Sequence, residues 1–372
     1  MMKGNDLGPP IATANAHTDK ASIPNLDGIR AVACLMVVLS HVPFSSKSMT
    51  LGAMGVGVFF VLSGFLMSYL YSRAAWDLGA VCRYCIARFA RIAPIYWLVI
   101  SVCIALSYYQ PNHEFSMQIV GGASIIRHYL FGGSVSIFWS IPLEVQYYVF
   151  FLFIWWSIAH RSKFTYALPL AALLCSGLLL TYALWPGLAL PGKLHFFLAG
   201  SIAGLMPRTL WHGVLDRRVL FWLQLGALVI LASPLWLYSS KQAFYSATEL
   251  GWALAVAVYL LSTPSRWTSF VFASPVMRRI GQASFSIYLM HTLIFHFGVR
   301  WLGLSHEIFD PLWSVLAFSG VVLPIVASRY IEIPLQQITR RYLESRLLPI
   351  VAGQRMKRDL ALTTAPATPQ GK

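Results

Sequence analysis

The sequence predicts an all-α membrane protein, a polytopic helical bundle of about ten transmembrane helices with both termini in the cytoplasm. Of its 372 residues, 57% are hydrophobic and only 11% are charged, whereas a soluble domain normally carries about 25% charged residues. Long apolar runs alternate with short basic clusters along the chain. With so few charges, much of the folded surface must face hydrocarbon instead of water.

Ten apolar runs are candidates for membrane spans, because a helix needs roughly 20 apolar residues to cross the bilayer core. Their predicted bounds are 28–44, 53–72, 92–109, 138–159, 165–184, 194–207, 219–238, 245–262, 280–300 and 311–331.

The distribution of basic residues indicates the orientation of these spans. If the N-terminus is cytoplasmic, five of the 28 lysines and arginines fall in outward-facing loops, namely Lys47, Arg127, Lys193, Lys241 and Arg300. The other 23 (28 − 5) lie at the inner face or in the tails, which is the positive-inside pattern.

A net charge of +15 on a soluble domain would suggest nucleic acid. Here the charges lie between apolar runs, so we expect the lipid bilayer and no nucleic acid as a partner.

We divide the chain into three parts. Residues 1–24 form a polar N-terminal tail, 25–335 form the transmembrane domain, and 336–372 form a basic cytoplasmic tail. Thr, Pro, Ala and Gln dominate the end of that last tail and predict partial disorder. Its basic part favours an anionic inner leaflet.

Arg30 and His41 share the first predicted span, where ionisable side chains are costly and are therefore functional candidates. Eleven residues at ~100° each complete about three turns, so the two side chains project from one face, roughly 16 Å apart along the axis. A cation would then lie at the inner boundary and an imidazole beyond the midplane. The alternative is that Arg30 snorkels to the interface and His41 hydrogen-bonds a neighbouring helix.

Glu144 lies near the outer end of the fourth predicted span, which runs from outside to inside. We therefore expect Glu144 and His41 at comparable depth. A carboxylate beside an imidazole fixes its tautomer and raises its basicity, as a general base requires. These two residues are the predicted catalytic pair. The alternative is that Glu144 is a structural anchor for hydroxyl or backbone groups.

Arg88 and Arg91 are one helical turn apart at the predicted inner entrance to the third span. Guanidinium groups at this spacing can bind phosphate through bidentate hydrogen bonds. An inner phosphate site would suit a nucleotide-carrying donor such as acyl-coenzyme A. Arginines that only set topology would look much the same.

Three further residues are candidates for lining the same cavity: Ser140, Tyr148 and His291. A buried histidine that bonds a neighbour is an equal alternative for His291. Glu332 is predicted to be a structural partner of an inner-face arginine. No group of His, Cys, Asp and Glu has a spacing suited to a metal ion, and we expect no permanently bound cofactor.

An ordered set of motifs over about residues 25–335 resembles the acyltransferase 3 family of integral membrane acyltransferases. The motifs are Leu26–Ala33 with Val37–His41, Gly57–Phe65, Arg88–Tyr96, Trp139–Tyr148, Ser286–His291 and Glu332–Pro334. Ile141 and Pro142 replace residues that are commoner beside Glu144 in the family.

The resemblance implies transfer of an acyl group, usually acetyl, from cytoplasmic acyl-coenzyme A as co-substrate to a carbohydrate hydroxyl at a bacterial inner membrane. Implied acceptors are exopolysaccharide, O-antigen, and lipid-linked or signalling oligosaccharides. It also implies that His41 is the reactive histidine and that Arg30, Arg88 and Arg91 bind the donor. His41 would either deprotonate the acceptor hydroxyl or carry the acyl group. The rival hypotheses are a transporter or flippase of a glycan or small polar solute, and a scaffold protein.

Overall fold

The structure is a computed structural model that describes residues 23–43, 48–109, 115–207, 216–304 and 311–364. Within these ranges the chain forms helices and no β-strand, which confirms the all-α prediction. Most of the predicted N-terminal tail and the last eight residues lie outside the described ranges, as does Lys47.

Sixteen α-helices follow one another in the described ranges. They are α1 Pro24–Ser40, α2 Ser48–Tyr71, α3 Leu78–Tyr109, α4 Gly122–Tyr129, α5 Ser140–Ala159, α6 Ala167–Leu180, α7 Leu194–Leu205, α8 Arg217–Ala232, α9 Pro234–Leu237, α10 Lys241–Ser246, α11 Thr248–Ser262, α12 Arg266–Phe272, α13 Pro275–Gln282, α14 Ser284–Leu302, α15 Leu312–Ala327 and α16 Ile333–Thr364. Short 3-10 helices at Ser136–Trp139, Tyr182–Leu184 and Leu190–Lys193 and a π-helical turn at Ser328–Glu332 complete the order.

Each of the ten predicted spans overlaps one of these helices. Among the described residues, five helical stretches are long and apolar enough to cross a membrane by length and composition, which identifies a membrane protein. They are Thr50–Tyr71, Leu78–Tyr109, Ser136–Ala159, Arg217–Leu237 and Leu312–Gly353.

Two helix boundaries differ from the prediction near the candidate site. α3 begins at Leu78, fourteen residues before the predicted span, so Arg88 and Arg91 lie well inside one continuous helix. Hydropathy detects only the apolar half of such a helix, although alanine and arginine are good helix formers. α1 ends at Ser40, so His41 is the residue that caps the helix instead of lying within it.

The π-helical turn joins α15 to α16, and the helix continues through the predicted tail as far as Thr364. Such turns are frequent at functional sites, because the extra residue in the turn redirects side chains. Here the turn contains Glu332, and α16 packs against α3 just beyond it.

The core of the bundle is α2, which packs against α1 and α7. Three glycines, Gly64, Gly200 and Gly204, allow α2 and α7 to approach closely. A Cβ atom at Gly64 would overlap the Phe197 carbonyl oxygen, and one at Gly200 would overlap the carbonyl oxygen of Val61. Small residues at such interfaces let membrane helices pack backbone against backbone.

We predict that Gly200→Ala lowers the free energy of unfolding by about 1–3 kcal/mol, because the added methyl group overpacks the α2–α7 interface. Gly226→Ala is the matched control, since a Cβ atom there meets nothing within 4 Å. Denaturant titration of both variants in detergent micelles measures the difference. Equal stability of the two variants would contradict the close approach.

Candidate active site

Two adjoining cavities lie among α1, α2, α5 and α14. The arginine cavity, of about 80 Å³, is lined by Arg30, Ser63, Arg88, Arg91, Ser140, Glu144, Tyr148 and neighbouring apolar residues. The histidine cavity, of about 220 Å³, is lined by His41, Ser40, Trp139, Lys241, Tyr245 and others. Val56 and Tyr288 line both cavities, so they form the partition between them.

The three arginines that the sequence singled out line one cavity. Arg30 comes from the second turn of α1, whereas Arg88 and Arg91 come from α3. Glu144 and Tyr148 line the same cavity from α5, where they lie one turn apart. The cavity therefore combines three guanidinium groups with one carboxylate in its wall.

A second carboxylate lies behind this wall and holds Arg91. Nη1 of Arg91 is 2.7 Å from Oε1 of Glu332, whose side chain is fully buried. Ser286 and Ser328 donate hydrogen bonds of 2.6 and 2.7 Å to the other carboxylate oxygen. The predicted pairing of Glu332 with an arginine is confirmed, and the bond fixes Arg91 with its guanidinium at the cavity.

Arg88 is held by aromatic rings instead of a carboxylate. Its guanidinium carbon lies 6.0 Å from the ring centroid of Tyr71 and 5.6 Å from that of Tyr148, within the range of cation–π attraction. Its buried Nε has no hydrogen-bond partner in the described part of the chain. Neither Arg88 nor Arg30 forms an ion pair with a described residue. The cavity wall thus carries a surplus of positive charge and one donor, Nε of Arg88, without a partner among the described residues.

The carboxylate of Glu144 accepts hydrogen bonds from two hydroxyl groups. Ser63 donates to its Oε1 at 3.1 Å, and Tyr148 donates to the same atom at 2.5 Å. Both hydroxyls donate to the same oxygen of the carboxylate. Glu144 therefore offsets part of the arginines' charge within the cavity.

His41 lies at the entrance of the other cavity, with its orientation set by backbone. Its Nδ1 is 2.9 Å from the Val37 carbonyl oxygen and 3.3 Å from Nε2 of His291. A carbonyl oxygen only accepts, so the proton of a neutral His41 ring is on Nδ1 and the lone pair is on Nε2. That Nε2 makes no hydrogen bond with the described residues. A lone pair left free in a cavity is what a base or nucleophile requires.

His291 lies beside His41 as a fully buried second imidazole. The ring centroids are 4.9 Å apart in an edge-to-face arrangement. Nδ1 of His291 is 2.9 Å from the Ile287 carbonyl oxygen, and its Nε2 is 3.3 Å from the Thr292 hydroxyl. The structure thus places His291 in contact with the candidate catalytic histidine. His41 lines the cavity, whereas His291 is not among the lining residues of either cavity.

The structure does not bring His41 and Glu144 together, contrary to the expected pairing. Glu144 lines the arginine cavity and His41 lines the histidine cavity, and no hydrogen bond or ion pair joins them. One turn of α5 separates Glu144 from Ser140, which bonds the partition residue Tyr288. The Val37 carbonyl, which no sequence pattern distinguishes, fixes the tautomer of His41 instead. The catalytic role of Glu144 stays a prediction.

Tyr288 is the residue at the partition that the sequence analysis did not select. Its hydroxyl donates to the Ile137 carbonyl oxygen at 2.7 Å, so Ser140 donates to it at 2.8 Å. The two bonds tie α14 to the 3-10 helix Ser136–Trp139 and to the first residue of α5. The signal was available, because Tyr288 precedes His291 by three residues and so faces the same side of α14.

Comparison with known proteins gives a consistent result. A family model described as an acyltransferase domain, acyltransferase 3, matches residues 23–329. The chain is 25% identical to the peptidoglycan O-acetyltransferase OatA of Listeria monocytogenes, over 85% of this chain and 56% of that protein. It is 25% identical to the acyltransferase MdmB of Streptomyces mycarofaciens, over 82% of this chain and 87% of that protein.

A protein of Staphylococcus aureus strain COL, named as an O-acetyltransferase, is 26% identical over 85% of this chain and 57% of its own length. The chain thus spans somewhat more than half the length of the Listeria and Staphylococcus relatives. No solved structure matches the chain.

We predict that Glu332→Ala lowers the free energy of unfolding by about 3–5 kcal/mol, because it leaves the Arg91 guanidinium and two buried hydroxyls without their acceptor. Glu344→Ala breaks the half-buried Arg340–Glu344 pair of 2.8 Å near the protein surface and serves as the control, with an expected loss of about 0.2–1 kcal/mol. Denaturant titration in micelles measures both. Similar losses in the two variants would contradict a structural role for the buried pair.

Proposed function

Since the chain belongs to the acyltransferase 3 family, we propose that it is a membrane O-acyltransferase that transfers an acyl group from acyl-coenzyme A to a carbohydrate hydroxyl. Acetyl is the proposed acyl group, in keeping with the O-acetyltransferase names of two relatives. The observation that carries the proposal is a cavity lined by three arginines next to a cavity lined by an available imidazole.

The donor is proposed to bind through its phosphates in the arginine cavity. Arginine presents a planar fork of donors that matches phosphate oxygens, and the bonds gain strength where water is excluded. Arg88 has an unused Nε, and Arg30 has no described ion-pair partner. Arg91 is already oriented by Glu332, so it can bind phosphate without first losing side-chain freedom.

The acyl end of the donor is proposed to pass between Val56 and Tyr288, the two residues common to both cavities. Arg30 and His41 are eleven residues apart, or roughly 16 Å along a helix. An extended arm that starts at the arginines would therefore place its thioester in the histidine cavity. The phosphates would stay behind the partition.

Nε2 of His41 is proposed as the reacting atom. As a base it takes the proton of the acceptor hydroxyl, whose oxygen then attacks the thioester carbonyl. The carbon–sulfur bond breaks, and the thiolate of coenzyme A takes up a proton. As a nucleophile the same lone pair would attack the thioester carbonyl, and the carbon–sulfur bond would break to release the thiolate and leave an acyl-imidazole. The hydroxyl oxygen would then take the acyl group as the carbon–nitrogen bond breaks, and its proton would pass to the thiolate. Both routes use the tautomer that the Val37 carbonyl selects.

The proposed topology has about ten spans with both termini in the cytoplasm of a bacterial cell, and the bilayer is the inner membrane. The donor would then enter the arginine cavity from the cytoplasm. The acceptor would approach the histidine cavity from the opposite face. Candidate acceptors are exopolysaccharide, O-antigen, and lipid-linked or signalling oligosaccharides.

We predict that His41→Ala abolishes the appearance of label on glycans when the purified full-length protein in lipid nanodiscs receives radiolabelled acetyl-coenzyme A and isolated surface glycan. His160→Ala is the matched control. His160 also caps a helix and bonds the carbonyl oxygen four residues earlier, at 3.0 Å, but lies outside both cavities.

Full transfer by the correctly folded His41→Ala protein would refute the assignment of His41. A transporter or flippase would leave no covalent label on the glycan with any variant, including the wild type. The same assay therefore separates the rival hypothesis from the proposed one.

A further inference from the structure

The wall of the histidine cavity combines aromatic rings with lysines in a way that the transfer reaction alone does not require. Trp139 and Tyr245 line the cavity, with ring centroids 5.5 Å apart in an edge-to-face arrangement. Nζ of Lys241 lies 5.0 Å from the Trp139 centroid, and Nζ of Lys193 lies 4.7 Å from the centroid of Tyr245. We call these four residues the lysine–aromatic wall.

The two lysines reach this wall from different elements. Lys193 ends the 3-10 helix before α7, and Lys241 is the first residue of α10. Lys241 lines the cavity itself, whereas Lys193 lies over the ring of the lining residue Tyr245, close enough for the charge of Lys241 to act on it. The convergence is a property of the fold, since 48 residues separate the lysines along the chain.

Neither lysine has an anionic partner among the described residues. No carboxylate of a described residue lies within 4.0 Å of the Nζ atom of Lys193 or Lys241. The described lining of the cavity also includes no acidic residue. Lys193 donates only to the carbonyl oxygen of its neighbour Gly192, at 3.2 Å. Burial and the nearby charge of Lys241 lower the pKa of Lys193 to about 8. The wall thus holds two like charges whose repulsion an incoming anion would relieve.

The remaining features suit a sugar. The cavity, of about 220 Å³, has room for a ligand larger than a few water molecules, and its wall combines aromatic rings with hydroxyl and ammonium groups. Aromatic faces pack against the C–H faces of a pyranose, while its hydroxyls remain free for polar groups. His41 lines the same cavity and would meet one of those hydroxyls.

We infer that the acceptor is an anionic glycan, whose carboxylate or phosphate binds Lys193 and Lys241 while the sugar that carries the reacting hydroxyl packs on Trp139. This inference rests on the proposed function and adds the chemical class of its acceptor. The lysines are binding residues for the acceptor and make no contact with the donor, whose phosphates occupy the arginine cavity.

The test uses the full-length protein in nanodiscs, radiolabelled acetyl-coenzyme A, and surface glycan isolated from cells that lack the gene. Charge removal by Lys193→Gln with Lys241→Gln is expected to raise the KM for glycan about tenfold or more, because each charged hydrogen bond contributes substantially to binding. The KM for acetyl-coenzyme A should stay within about twofold, since the donor does not touch these lysines.

Two further variants separate charge from folding. Lys193→Arg with Lys241→Arg should retain most of the affinity for glycan. Lys163→Gln removes another lysine that lies over an aromatic ring, 5.4 Å from the Phe164 centroid, away from both cavities, and should behave as wild type. A rise in the KM for acetyl-coenzyme A instead of glycan in the double glutamine variant would overturn the inference.

The source of the anionic group is identified by treating the glycan before the assay. Reduction of carboxylates to alcohols should abolish tight binding if the group is a uronate or related acid. Cleavage of phosphodiesters with aqueous hydrofluoric acid should do so if the group is a phosphate. Unchanged kinetics after both treatments, or a labelled glycan without either group, would overturn the inference and leave the proposed function intact. Failure of the wild type to label any glycan would contradict the proposed function itself.

Discussion

Positive charge inside an apolar bundle must be compensated, and this requirement shapes the region around the arginine cavity. Glu332 is buried completely and is reached by Arg91 and two serine hydroxyls, so its charge is matched inside the protein. Glu144 offsets the remaining guanidinium groups only in part, because its described bonds go to hydroxyls. The result is a site whose surplus of positive charge is held in place by rigid helices and is available to an anion from outside the protein.

The partition between the two cavities gives the bundle a functional division. Three arginines lie on one side of Tyr288, and the imidazole of His41 lies on the other. Two hydrogen bonds hold the Tyr288 hydroxyl, so the partition has a defined position. A donor that spans it would keep its charged part away from the site where the acyl group is transferred. In the proposed arrangement the lysine–aromatic wall binds the acceptor, and its two lysines favour an anionic one.

The sequence predicted the features that depend on local patterns and missed those that depend on how the helices pack. Apolar runs and basic clusters are local, so helices, the set of three arginines and the role of Glu332 as an arginine partner could be predicted. The depth of one helix relative to another depends on packing, and it separates Glu144 from His41 although both lie near predicted outer ends. The start of α3 was missed because hydropathy does not detect the polar part of a helix. The role of the Val37 carbonyl was missed because every residue has a carbonyl group, so no sequence pattern marks it.

The central claim is that the donor crosses the partition, with its phosphates at the arginines and its acyl end at His41. The most direct test is an electron cryomicroscopy structure of the full-length protein in nanodiscs with a ketone analogue of acetyl-coenzyme A, in which a methylene group replaces the sulfur. The account predicts phosphate density in contact with Arg88 and Arg91, and the ketone beyond Tyr288 in the cavity of His41. Phosphates bound elsewhere, or a ketone that stays on the arginine side of Tyr288, would contradict it.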